Sequence, residues 1–354
     1  MAKYLITGDP VASFQPRFDT TLRVMAELRG RGIEVDYCDL LACDPHVASA
    51  TYLAALPVNA VVHVDPAREP YATLGPQRRA DARDYTVLIH RKDPPVDATY
   101  RAHANHFACL SPGFAGLHVS SASLHPGSAD LSTCPGPPRE RGPLQINDPA
   151  EVLRHSEHLL AATLFPEFAV PTVHCPDLPA LLRAVRAQPL EAVVKPLGEC
   201  SGRGIAFFPP LAPEAELAAY WAAHADTSGV VVQPFQPAIS TRGDLRILVM
   251  NRRILGSVAR IPGPGSRLAN LHQGASVRAF DPTPRQLAAV AAVADALSPR
   301  GLHLLGLDFI GDLLSEINFT SPSALVQINE VMHKRAEQEL VDEIVGMSQM
   351  HGTV

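Results

Sequence analysis

Lysine is nearly absent from this chain. It occupies only positions 3, 92, 195 and 334, and arginine supplies the other 26 of the 30 basic residues. A lysine kept where arginine has otherwise taken over is a candidate for a site that needs a compact ammonium. Charge as a whole is sparse, 19% of 354 residues against the usual ~25%. With 36 acidic side chains the net charge is −6, so the basic surplus of a nucleic-acid binder is missing. No apolar run approaches the ~18 residues that cross a bilayer. The opening MAKYLITGDP has only Tyr4–Ile6 before a polar turn, which does not read as a secretion signal. The six cysteines (38, 43, 109, 134, 175 and 200) contain no C-x-x-C pair. That argues against a structural zinc site and a redox motif, and for reduced thiols in a cytoplasmic protein.

What is present is an apolar fraction of 46% and a length suited to two domains of roughly 100–200 residues. The 33 prolines and 23 glycines imply many stiff loops, short of the ~25–30% of low-complexity chains. Strand candidates at Tyr4–Thr7, Ile33–Tyr37, Ala60–Val64 and Thr86–His90 alternate with a helix over Thr20–Arg29, which points to an α/β domain. Residues 110–143 are dominated by Ser, Gly and Pro and read as an insertion or lid before a boundary near 145. Beyond it the pattern predicts helices over 150–163, 177–187, 286–296 and 335–348. Strands are expected at 169–172, 191–195, 205–208, 229–233, 244–250, 253–259, 303–310 and 314–318.

The most informative segment is GLDFIGDLLSEINFTSP, residues 306–322. Gly311-Asp312 between two apolar strands is a hairpin turn. Pairing about residue 312 sets Asp308 opposite Glu316, and alternation puts Asn318 on the same face. Three hard oxygen donors gathered in this way suit Mg2+ held against substrate phosphates. A solvated hairpin face is the other reading, but two carboxylates in apolar strands are expensive to bury unpaired. Lys195 closes an apolar strand before GECSGRGI. A strand-end lysine beside an amide-rich loop can cradle phosphate, and an ordinary glycine turn fits equally. Arg246 and Arg260, next to sheet interiors, suit either a fork onto carboxylate or phosphate or a rim salt bridge. His155 and His158 have no third metal partner nearby, and Cys200 has no histidine to activate it, so surface histidines and a bystander thiol are the plainer readings.

Taken together, these segments resemble bacterial glutathione synthetase, a member of the ATP-grasp ligases. The resemblance runs through Asp9-Pro10, Asp19-Thr20-Thr21, RKDPPVD at 91–97 and Asn147-Asp148-Pro149. It continues through VVKPLG at 193–198, QPFQPAIS at 233–240, DLRILVM at 244–250, ARIP at 259–262, Asn270-Leu271 and the 306–322 block. It implies an N-terminal pre-ATP-grasp α/β domain (1–145, carrying the 110–143 insertion) followed by a two-lobed ATP-grasp fold of mixed α/β and α+β class. The small lobe would span 146–232 and the large lobe, with the metal site, 233–354. Lys195, Gly202 and Gly204 then match the phosphate side of a nucleotide site. Gln233, Phe235 and Gln236 match the adenine side, and Asp244 the ribose. Asp308, Glu316 and Asn318 match ligands of Mg2+ or Mn2+, and Arg246 and Arg260 match arginines beside the reacting carboxylate.

The implied reaction passes the γ-phosphate of ATP, as co-substrate, to the carboxylate of γ-glutamylcysteine. Glycine then displaces phosphate from the acyl phosphate, with residues 260–275 as the closing loop. Small-molecule substrates and self-association follow from the same resemblance, with neither nucleic acid nor membrane as a partner. Three positions depart from the family. His158 stands where a second ATP lysine is expected, Gly198 where an acidic residue is, and Val326-Gln327 where an Arg-Glu pair is. They leave open a ligase for another carboxylate and amine, or an inactive nucleotide-binding relative.

Overall fold

The computed structural model describes residues 2–111, 142–199, 202–225, 228–263, 269 and 276–353. Most of the 110–143 insertion, Cys134, Cys200, Asn270-Leu271 and most of the 260–275 loop lie outside the described residues. Three sheets carry the architecture. The first contains β1 (Lys3–Gly8), β2 (Glu34–Asp39), β3 (Leu56–Val64), β4 (Ala72–Ala80), β5 (Val87–Arg91) and β6 (Leu144–Ile146) in the order β4-β3-β2-β1-β5-β6. β1 lies parallel to β2 and β5, and β5 to β6, while β3 and β4 add an antiparallel edge. Strand–helix alternation over residues 3–91 gives the expected α/β domain, with a mixed sheet whose parallel part is β2-β1-β5-β6.

The second sheet is β7 (Val173–Cys175), β8 (Ala192–Pro196), β9 (Ala206–Phe208) and β10 (Val230–Pro234), in the order β7-β10-β8-β9. The third comprises β11 (Asp244–Met250), β12 (Arg253–Ile261), β13 (Ser276–Ala279), β14 (Leu304–Ile310) and β15 (Leu313–Asn318), in the order β13-β12-β11-β14-β15. The four-stranded sheet has a core of its own, centred on Leu181, Leu217 and Val230. The first and third sheets share apolar packing. Tyr4, Ile6 and Met25 join Leu248, Met250, Leu325 and Leu340 in one cluster, so the last helix, Ala336–Thr353, packs back on the first domain. Arg31 to Asp342 and Arg335 to Glu27 tie the same helices at the surface.

Several elements differ from the sequence expectation. The single helix expected over 150–163 is two, Pro149–Val152 and Glu157–Leu164. Asp148 caps the first, with Pro149 in its first turn, and Ser156 starts the second. The break brings Glu157 against the chain after β15, where its Oε1 accepts from Phe319 N (2.6 Å), Thr320 N (2.8 Å) and Thr320 Oγ1 (3.0 Å). Over 169–172 only Ala169 pairs, with Leu314, and the strand itself runs over Val173–Cys175. β12 continues to Ile261, two residues further than expected. β4 was not anticipated: ATLGPQRRA has poor strand propensity and is mostly exposed. Pairing along β3 holds it at the sheet edge, where proline is tolerated. The helices Ala98–Ala108, Glu214–His224 and Leu325–Met332 were also unread.

Candidate active site

The hairpin of β14 and β15 turns at Gly311, whose φ of +63° favours glycine. Its register pairs Asp308 with Glu316 and Gly306 with Asn318, with a bulge immediately after Asp308. β11 pairs Arg246 with Asp308, and β12 pairs Arg260 with Asp244. Since opposite residues share a face and i, i+2 residues follow them, one face of this sheet carries Asp244, Arg246, Arg260, Asp308, Glu316 and Asn318.

Within that face Arg246 grips Asp308 at two points, Nε to Oδ1 at 2.7 Å and Nη2 to Oδ2 at 2.6 Å. Its Nη1 reaches Ser323 O at 3.4 Å, so all three nitrogens are engaged. Arg260 Nη2 reaches Asp308 Oδ2 at 3.0 Å and also pairs with Asp244, while its Nε is buried with no acceptor among the described residues. Asn318 Nδ2 donates to Asp308 Oδ2 at 3.1 Å. Burial alone would raise the Asp308 carboxyl, but Arg246 and Arg260 outweigh it and hold the group at about 2. Asp244 is pushed up to about 6, first by burial and then, against the pull of Arg260, by Asp308 and Glu316. Glu157 is raised by burial and then by Glu316.

Facing this sheet, β8 and β10 pair Lys195 with Val231 and Gln233 with Val193. Lys195 is buried and has no acceptor or counter-ion among the described residues. Gln233 Nε2 donates to Thr172 Oγ1 at 2.9 Å and to Ser315 O at 3.3 Å, tying β10 to β15. Phe207 and Phe235 meet edge to face with ring centres 6.0 Å apart, beside Val193 and Ile205. The result is an apolar slot at one end and charge at the other.

A cleft of about 530 Å³ opens between these surfaces. Lys195, Gly202, Gln233, Phe235, Gln236, Asp244, Arg246, Arg260, Asp308, Glu316 and Asn318 all line it. Of the nucleotide-site residues the resemblance implies, Gly204 and the His158 position do not. Gly204, at φ +69°, serves local packing: a Cβ there would lie 2.7 Å from Pro196 Cγ, and its carbonyl accepts from the Tyr220 hydroxyl at 2.8 Å. His158 sits behind the lining. Its Nε2 is 3.2 Å from Glu199 O, and its Nδ1 is 3.4 Å from Glu316 Oε1 but not aligned for a hydrogen bond.

The first domain closes the cleft with groups that sequence reasoning left unassigned. Arg91 is buried there, donating to Thr21 Oγ1 at 3.1 Å and Pro322 O at 3.0 Å. Lys92 Nζ pairs with Asp9 Oδ1 at 2.6 Å. Asp19 caps the helix Thr20–Gly30, accepting from Leu22 N at 2.8 Å, and burial raises its carboxyl. Thr20 Oγ1 is buried in the cleft wall with no partner. The strand-end position of RKDPPVD was the available signal for Arg91. Glu157 offered none, because its partners lie 162 residues away.

The donor set suits a hard divalent cation. Asp308, Glu316 and Asn318 supply only oxygen ligands. Glu157 and Asp244, raised first by burial and then by neighbouring carboxylates, lie on the same cleft.

Comparison with known proteins decides the family. A model of the prokaryotic glutathione synthetase N-terminal domain matches residues 2–111, and one of the family's ATP-grasp domain matches residues 157–333. The chain belongs to the prokaryotic glutathione synthetase family. The glutathione synthetase of Prochlorococcus marinus (strain MIT 9313) is 30% identical over 331 residues, covering 93% of this chain and 94% of that one. That of Parasynechococcus marenigrum (strain WH8102) is 27% identical over 345 residues, covering 97% and 98%. In fold, the chain resembles the crystal structure of D-cycloserine synthetase DcsG, with a TM-score of 0.60 at 17% identity over 96% and 99% of the two chains. As a member of the glutathione synthetase family, the chain is an ATP-dependent C–N ligase of ATP-grasp fold. Among the described residues, no helix is long and apolar enough to cross a membrane.

Proposed function

We propose that this ligase joins the C-terminal carboxylate of γ-glutamylcysteine to glycine, hydrolysing ATP to ADP and phosphate through an acyl phosphate. The observation that carries this reading is the shared cleft, lined by a lysine with no counter-ion among the described residues, by two arginines and by three oxygen donors. The four-stranded sheet (small lobe, 146–232) and the five-stranded sheet (large lobe, 233–354) grip the nucleotide, and residues 1–145 form the third wall.

Each role rests on a feature of the site. Lys195 meets the phosphates as a compact cation. Phe235, with Gln233 and Gln236, borders the adenine slot. Asp244 keeps a buried Oδ1 without a donor, which suits a ribose hydroxyl. Asp308, Glu316 and Asn318 hold Mg2+ or Mn2+, which when bound neutralises charge between the phosphates. Arg246 is spent on bracing Asp308, so the buried Nε of Arg260 is the donor left for the reacting carboxylate. Cations and oxygen donors dominate the described lining, so acceleration comes from alignment and charge neutralisation. The carboxylate oxygen attacks the γ-phosphorus and ADP leaves; the amine then attacks the acyl carbon and phosphate leaves.

The test is ADP release with ATP, Mg2+, γ-glutamylcysteine and glycine, repeated with other amines. Turnover on the named pair supports the reading. Turnover only on another pair would select a different acceptor or donor. That second reading has an observation behind it: Gln327 lines the cleft and donates to Arg17 O at 3.1 Å, beside buried Val326, where the family pattern has Arg-Glu.

A further inference from the structure

Away from the cleft, the fold brings two cysteines together that no C-x-x-C spacing announces. Cys38 is buried near the end of β2, and Cys43 follows the short turn Leu40–Ala42, in which Leu40 is buried and Leu41 and Ala42 are exposed. Their sulfurs are 3.5 Å apart and both thiols are reduced. We propose that Cys38 and Cys43 form a thiol–disulfide exchange site, with Cys43 as the attacking thiol and Cys38 as the resolving one, for which a small-molecule disulfide is the oxidant.

Geometry assigns the two roles. Cys43 is partly exposed, two residues after Leu41, which is 64% exposed, so it is the thiol of the pair that a small disulfide meets. Cys38 is fully buried, with its sulfur against that of Cys43. A bond of ~2.05 Å requires the sulfurs to close by about 1.5 Å, a movement the short turn between them can supply. Hydrogen bonding favours the same order. The Cys38 thiol, and after it the Tyr52 hydroxyl, hold Cys43 below the usual thiol range, against the opposing effects of burial and Asp39. The Tyr52 hydroxyl is in turn 2.8 Å from His103 Nδ1. Cys38 itself is raised, by the bond to Cys43 and by burial. Burial pushes another buried thiol, Cys175, up to about 11. Thiolate character and access decide which thiol attacks.

The exchange balances. Cys43 thiolate attacks one sulfur of RSSR and expels RS⁻, which takes up a proton. Cys38 then loses its proton and attacks the Cys43 sulfur, expelling the second RS⁻. Two thiols are oxidised to one S–S bond, and one disulfide is reduced to two thiols.

The experiment treats the intact protein with hydroxyethyl disulfide, alkylates the remaining thiols, and maps peptides by mass spectrometry. The expected result is a Cys38–Cys43 crosslink, two hydrogens lighter and reversed by dithiothreitol. Cys38→Ser should instead retain one hydroxyethylthio group on Cys43. A wild-type protein in which Cys43 is alkylated, keeps a mixed disulfide, or crosslinks elsewhere would overturn the proposal. The wild-type map decides this even where the serine variant fails to fold.

Discussion

Arg246 and Asp308 make a two-point ion pair across β11 and β14, while Arg260 touches the same carboxylate through one nitrogen. The two arginines should therefore fail differently. Arg246→Met leaves Asp308 buried with one partner fewer and should lower unfolding free energy by about 3–5 kcal/mol. Arg260→Met removes one-nitrogen contacts to Asp308 and Asp244. Asp244, already pushed up to about 6, can take up a proton. The variant should therefore cost less stability and proportionally more kcat, the buried Nε of Arg260 having no acceptor among the described residues. Urea unfolding and steady-state kinetics on both variants check this, and the reverse order would contradict it.

Lys195 stands alone in its wall of the cleft, without a described counter-ion. Lys195→Met therefore strands no partner. Thermal stability should hold or rise, while ATP affinity falls about 10–100-fold, the size of one hydrogen bond to a charged group. Calorimetric titration with ATP reads this, and an unchanged affinity would remove Lys195 from the nucleotide site.

His103 is buried, and its imidazole is depressed to about 4 by burial and then by neighbouring His106 and Lys92. A depressed histidine stabilises the fold above its unfolded value of ~6.5, and that contribution disappears as pH falls toward 4. The loss should be on the order of 3 kcal/mol across that window. His90 and His303, also depressed to about 4 by burial, act with the same sign. Unfolding free energy measured from pH 7.5 to 4 should fall, and His103→Gln should flatten the slope. Equal slopes in the two proteins would refute the assignment.

Legibility followed the range of the interaction. The Gly-Asp turn made the hairpin legible, but the Asp308–Glu316 pairing rests on a bulge the sequence does not announce. The turn pairs Ile310 with Leu313 and Phe309 with Leu314, and strict alternation from there would have set Asp308 opposite Ser315. The Lys195 strand and its glycine turn were readable for similar reasons. What escaped was set by distant packing: Glu157 is bonded to Phe319 and Thr320, and Arg91 to Pro322. The helix break before Glu157 is invisible to periodicity, since Leu153–Ser156 has no glycine or proline. Helix Ala98–Ala108 did carry a signal, with Tyr100, Ala104 and Phe107 at i, i+4 and i+7 after an Asp97 cap. β4 had none, because its neighbour β3 rather than its own residues makes it a strand.

The claim on which the rest depends is that Asp308, Glu316 and Asn318 hold a divalent cation against the nucleotide's phosphates. Glu316 is the ligand to remove, being the member of the set least tied to protein partners. The most direct measurement is calorimetric binding of a non-hydrolysable ATP analogue to wild type and Glu316→Gln, with and without Mg2+. Mg2+ should tighten binding to the wild type and leave the variant's affinity nearly unchanged. Equal tightening in both proteins would contradict the account.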